Sequence, residues 1–142
     1  MNQGQRQLED VQGGELHVRV PAVAGRLTSL RHVLARWAEH AGLGPDDREA
    51  LTLASYEAMA NSVEHAYAGQ LQGVLDVDAV RDDDEGRVVV TVTDYGQWQP
   101  PPADPGTRGR GLPLIRGLSP DFRITSSTRG TTVRMCWPLP EE

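Results

Sequence analysis

The sequence predicts a two-layer α/β sandwich of the α+β kind, with one mostly antiparallel sheet covered by helices on one face. Two observations lead there. The order of elements is strand, helix, helix, strand, strand, then a Pro/Gly-rich gap, a short helix and two more strands. The strand pairs follow one another through turns of a few residues, which antiparallel pairing allows and parallel pairing does not. At 142 residues the chain is long enough for one domain with a single core. Residues 15–142 are expected to form it, behind a polar 1–14 tail that lacks the apolar stretch of a signal peptide.

Each element follows from its pattern. "ELHVRV" (Glu15 to Val20) alternates polar and apolar and is expected to be a half-buried strand ended by Pro21. From Ala22 to Ala41, Leu27, Leu30, Leu34 and Trp37 recur at helical spacing, with Arg26, Arg31 and Arg36 mostly off that face. Gly42 and Gly44 break this helix. Pro45, Asp46 and Asp47 then open a second, where proline suits the first turn and acids suit the positive end of the dipole. The second helix is expected to reach about Tyr67. Two strands, Leu71 to Val80 and Arg87 to Asp94, flank the acidic turn "RDDDEG". Residues 97–108 are too rich in Pro and Gly for a regular element, and a gap of that length inside a compact domain is commonly a functional loop. Gly111 to Leu118 is expected to be a short helix with Pro113 in its first turn. The final hairpin turns at Arg129 and Gly130, which puts Gly130 and Thr131 at its tip.

Composition removes several classes of function. A formal charge of −6 argues against non-specific nucleic-acid binding as the main task, because phosphate contacts need a basic surface. Cys136 is the only cysteine, so an internal disulfide and a zinc–cysteine cluster are both excluded, and a reducing compartment, the cytoplasm, is expected. Its setting in "VRMCWPL" reads as a packed strand thiol. No apolar run is long enough to cross a bilayer as a helix.

The stretch "EAMANSVEH" places Glu57, Asn61 and His65 one turn apart on the second helix. Such a row is a solvated surface, a capping accident or the floor of a site. A solvated stripe would normally carry Lys or Arg partners, yet this helix is dominated by Leu51, Leu53, Ala54, Ala58, Met59, Ala60 and Val63. A narrow polar stripe on a mostly covered helix is expected to face a ligand, a metal or water. The zinc-protease spacing is absent, so His65 is assigned a capping or hydrogen-bonding role. Three further features converge with the stripe. "VTDYG" ends an apolar strand with Asp94 and Gly96, "GTRGRGL" opens a helix with glycines whose N–H groups suit phosphate, and "RGTTV" closes the hairpin.

In this order, "EAMANSVEHAY", "DYG", "GRGLPLIRGL" and "GTTVRM" resemble the N, G1, G2 and G3 boxes of the GHKL ATPases, whose Bergerat fold binds ATP. Within that group the chain is most similar to anti-sigma factor serine kinases of the RsbW and SpoIIAB type, over roughly Glu15 to Leu139. The resemblance implies Glu57 as general base and Asn61 as the Mg²⁺ ligand. It also implies Asp94 and Gly96 at the adenine, with Gly109, Arg110, Gly111 and Leu112 around the phosphates. Thr131 would support the adenine-side network, and residues 97–110 would form the ATP lid. It implies ATP and Mg²⁺ as cofactors, a STAS-domain anti-anti-sigma protein phosphorylated on serine, and an RNA polymerase sigma factor held in check. Arg31 would contact these protein partners, and a homodimer is expected. A nucleotide-regulated binding module without turnover, and a switch kinase of the RsbT type, are the alternatives; a retained Glu57 disfavours the former. Trp98 and "SPD" (Ser119 to Asp121) stand where many relatives carry a glycine and an acidic pair. There is no P-loop and no His-Arg-Asp loop.

Overall fold

The computed structural model describes residues 11–12, 15–66, 73–96 and 111–140, with the side chains of residues 11–12, 65–66 and 111–114 left aside. In chain order the elements are β1 (Val11–Gln12), β2 (Glu15–Pro21), α1 (Ala24–Ala41), α2 (Pro45–Asn61), β3 (Val74–Asp82), β4 (Arg87–Asp94), α3 (Gly111–Leu118), β5 (Asp121–Ser127) and β6 (Gly130–Pro138). A π-helical turn, Ser62–Ala66, continues α2. The six strands make one sheet in the order β1-β2-β3-β4-β6-β5, and every pairing among the described residues is antiparallel. The expected α/β sandwich is the fold observed.

Register turns the alternating sequence pattern into rows across the sheet. Leu16, Ala79, Val90, Met135 and Phe122 stand side by side, and so do Val18, Val77, Val92, Val133 and Ile124. These rows belong to the core, together with Leu27, Leu30, Leu34 and Trp37 of α1 and Leu51, Ala54, Ala58 and Met59 of α2. Helix α2 lies between α1 and α3 and reaches β4 and β6. A third row runs Val20, Leu75, Asp94, Thr131, Ser126. It begins apolar and becomes polar from β4 onward, which opens one corner of the core face to chemistry.

The helix ends are chemically specified. Gly42 takes a left-handed conformation (φ 94°), and the N–H of Leu43 returns to the carbonyl of Ala38, closing α1 with a Schellman turn. The Arg81 guanidinium donates to the orphan carbonyl of Ala41 at 2.6 Å. Helix α2 starts with Pro45 and carries Asp46 and Asp47 in its first turn, as the sequence indicates. The Trp137 indole donates to the Leu118 carbonyl at 2.8 Å, and the Ser119 hydroxyl lies 2.7 Å from the Asp121 carbonyl. Ser119 of the "SPD" segment is therefore a strut between α3 and the last strands.

Several boundaries differ from expectation: α1 begins at Ala24 rather than Ala22, and β3 runs on to Asp82 rather than stopping at Val80. Val11–Gln12, inside the stretch expected to be a tail, pair back on Leu16 and Glu15. Regular α-helix ends at Asn61 rather than near Tyr67, because the chain widens into the π turn; Tyr67 lies outside the described residues. β3 begins at Val74, and Leu71 and Gln72 also lie outside. Thr131 is not at the hairpin tip: the turn is Thr128–Arg129, and Thr131 is a buried strand residue of β6. No described helix is long and apolar enough to cross a membrane.

Two outcomes follow from this packing. Burial pushes the Cys136 thiol up, against the opposing pull of nearby arginines, and the residue is only 2% exposed. With Ellman's reagent at neutral pH the native protein is expected to react far more slowly than protein in denaturant, which should release one thiol equivalent promptly. Gly130 sits at φ 146°, and a Cβ there would come within 2.0 Å of the Asp94 carbonyl oxygen. Gly130→Ala is expected to cost about 3 kcal/mol or more in chemical denaturation. Gly117→Ala, where a Cβ meets nothing within 4 Å, should be neutral or mildly stabilising.

Candidate functional site

The polar end of the third row is built around a carboxylate. Asp94 is the last residue of β4, faces the core side of the sheet and is 1% exposed. A carboxylate so placed needs hydrogen-bond donors in place of water. Three elements supply them. The Ser62 hydroxyl, from the first residue of the π turn, donates to Oδ2 at 2.8 Å. The N–H groups of Gly96 and Thr131 both donate to Oδ1 at 3.3 Å. Thr131 in turn shares a hydroxyl hydrogen bond of 3.1 Å with Ser126 across the β5–β6 ladder. The result is a carboxylate whose orientation is fixed before any ligand arrives.

Gly130 explains how the strands come so close. Without a Cβ, the backbone of β6 can start directly against the carbonyl of Asp94 and the Cα of Tyr95. That approach delivers the Thr131 N–H to the carboxylate.

Helix α2 brings the other polar residues to the same corner. Asn61 closes the regular helix and is 7% exposed; its side-chain amide makes no hydrogen bond among the described residues. It directly precedes Ser62, so the amide and the Asp94 carboxylate share a neighbourhood. Glu57 stands one turn earlier, half-buried, with no ion pair among the described residues. A nearly buried amide and a half-buried carboxylate with no partner among the described residues are groups available to a ligand. No cluster of three or more His, Cys, Asp or Glu among the described residues is arranged to hold a metal by itself. An Asn61 amide oxygen suits Mg²⁺, an ion that commonly takes one or two protein oxygens and completes its shell with phosphate and water.

The remaining expected site residues divide. Gly96 is buried and donates its N–H to Asp94. Gly111 and Leu112 form the start of α3, whose N-terminal end carries backbone donors. Gly109, Arg110 and the expected lid at 97–110 lie outside the described residues. Arg31 of α1 is away from the carboxylate cluster: its guanidinium carbon sits 5.4 Å from the ring centre of Tyr56, the residue before Glu57.

Ser62 is the residue that the sequence reading missed. It lies a step round the helix from the Glu57–Asn61 stripe, in line with the buried Ser55 and Ala58. The available signal was a second small polar residue on a core-facing stripe that otherwise admits only apolar side chains.

This geometry can be set beside known proteins. The chain is similar in structure to the RsbU and RsbW domains of Rv1364c from Mycobacterium tuberculosis, with a TM-score of 0.67 and 26% identity over 88% of its length. It spans about a third (32%) of that solved chain. Residues 20–137 match the histidine kinase-like ATPase domain, a span that runs from the end of β2 into β6 and takes in all three helices with Glu57, Asn61, Asp94 and Thr131. On the extent of that match, the chain belongs to the family of histidine kinase-like ATPase domains.

Proposed function

We propose that this domain is an ATP-dependent serine kinase that phosphorylates a STAS-domain anti-anti-sigma protein and, in the alternate complex, sequesters an RNA polymerase sigma factor. The carrying observation is the oriented, buried Asp94 carboxylate at the end of β4, hydrogen-bonded to Ser62 just beyond the helix that bears Glu57 and Asn61. Family membership supports nucleotide binding, and similarity to a protein with an RsbW domain supports the partner-switching role.

Asp94 accepts the exocyclic amino group of adenine, and Gly96 lets the backbone lie against the base. The triphosphate runs from there toward the start of α3, where Gly111 and Leu112 offer N–H groups. Asn61 would hold Mg²⁺ through its amide oxygen, and the ion would supply charge neutralisation of the triphosphate. The serine hydroxyl of the partner attacks the γ-phosphorus in line. The new O–P bond forms as the bond to the β-phosphate oxygen breaks, ADP leaves with that electron pair, and the serine proton passes to Glu57. Arg31, over the Tyr56 ring, offers a cation for docking a protein partner.

Two measurements check this reading. Calorimetric titration with Mg-ATP should show binding that Asp94→Asn weakens by about 10- to 100-fold and Ser62→Ala by about tenfold, the range for a hydrogen bond to a charged group. Asn61→Ala should bind nucleotide with its Mg²⁺ dependence removed. In a phosphotransfer assay with a STAS-domain protein, Glu57→Gln should keep ATP affinity while the rate falls by roughly 10²–10⁴. Unchanged transfer by Glu57→Gln would remove the general base from the account. Wild-type binding without any transfer would favour the nucleotide-regulated binding module.

A further inference from the structure

The face of the sheet opposite the helices carries a second ordered cluster, directly behind the site. Arg19 of β2 and Asp76 of β3 are register partners. The guanidinium grips the carboxylate with two parallel bonds, Nε to Oδ1 and a terminal nitrogen to Oδ2, each 2.8 Å. The Tyr95 hydroxyl donates to the same Oδ2, and the Arg19 guanidinium carbon lies 5.7 Å from the Tyr95 ring centre. Asp76 is 5% exposed although it sits on the open face, whereas Tyr95 is 49% exposed. The Arg19 guanidinium holds the Asp76 carboxyl below its ordinary range, and Asp76 in turn pushes the Tyr95 phenol up. At neutral pH the carboxylate therefore accepts and the phenol donates.

The position of Tyr95 gives the cluster its consequence. The ladder of β4 ends at Asp94, and Tyr95 and Gly96, the next two described residues, lie beyond it. Yet Gly96, one residue later, must return its N–H to the Asp94 carboxylate. Asp94 points to the core face, Tyr95 to the open face, and the side chain of Tyr95 is anchored there by Asp76 and Arg19. Gly130 closes on the same backbone from β6.

We propose that Arg19, Asp76 and Tyr95 are positioning residues for the nucleotide site: by pinning Tyr95 on the open face they set the path from Asp94 to Gly96 and with it the orientation of the adenine-accepting carboxylate. The adenine part rests on the function proposed above; the positioning of Gly96 and Thr131 does not.

The test has two arms. In nucleotide-free protein, amide hydrogen exchange at Gly96 and Thr131, the two donors to Asp94 Oδ1, should accelerate by about tenfold in Asp76→Asn and in Tyr95→Phe. The amides of Val90 and Met135, in the centre of the ladder, should keep wild-type protection. In titrations, both variants should lose about five- to tenfold in Mg-ATP affinity while keeping the affinity for Mg-tripolyphosphate, which has no base. The double variant should lose no more than the singles, since the three residues act as one unit, and Arg19→Lys should retain more ATP affinity than Arg19→Ala. A merely structural role would accelerate exchange throughout the sheet and weaken both ligands alike. Wild-type exchange at Gly96 and Thr131 in both variants overturns the proposal. Wild-type protein that binds no ATP would remove the functional reading alone, and the exchange arm would still decide the positioning.

Discussion

A carboxylate on the apolar face of a sheet is the constraint around which the rest of this molecule is arranged. Asp94 is 1% exposed, in a row that begins with Val20 and Leu75. An ionised carboxylate there, without donors, would cost several kcal/mol, so the fold must bring donors to it. It brings them from two sequence-distant places, the end of α2 and the start of β6, and from Gly96 two residues further along the chain. Each convergence demands a local irregularity. Helix α2 gives way to a π turn at Ser62, a feature often found where a helix serves a site. β6 begins at a glycine with positive φ, because no side chain fits against the Asp94 carbonyl. The π turn and the close approach at Gly130 thus meet at one group.

The two faces of the sheet divide the labour. The helix face buries the hydrophobic rows and, at one corner, presents the polar end of the third row beside Glu57 and Asn61. The open face carries polar pairs matched across the ladder: the His17 imidazole is hydrogen-bonded to Asp78, and Arg19 is ion-paired with Asp76. Tyr95 connects the faces. Its side chain belongs to the open face, while its two chain neighbours belong to the site. A change on the exposed surface therefore has a short mechanical route to the carboxylate, through one peptide unit.

Much of this was legible in the sequence, for reasons that can be named. The strand Arg87 to Asp94 and the helix Gly111 to Leu118 were read with their observed bounds, because an apolar, β-branched run and a glycine start are local signals. The core of α1 followed from Leu27, Leu30, Leu34 and Trp37 at helical spacing. Asp94 stood out as a charge at the end of an apolar strand. What escaped depended on pairings between distant residues. Ser62 reads as an ordinary helix serine until β4 is placed beside it. Asp76 and Asp78 both read as outward strand acids, and only register gives Arg19 to one and His17 to the other. Val11–Gln12 carry too little pattern to announce a strand, and exist as one because Glu15–Leu16 offer an edge. Thr131 was put at a turn because the glycine before it looked like one, whereas Gly130 is there for close approach.

The central claim is that Asp94 accepts a hydrogen bond from the amino group of adenine. The most direct measurement is a calorimetric comparison of Mg-ATP with Mg-ITP, whose base carries a carbonyl oxygen where adenine carries the amino group. A carboxylate held by Ser62, Gly96 and Thr131 cannot turn away from that oxygen, so two acceptors would face each other. Weaker binding of ITP by about 100-fold, a difference near 2.7 kcal/mol, is the result predicted. Equal affinities for the two nucleotides would mean that Asp94 does not read the base.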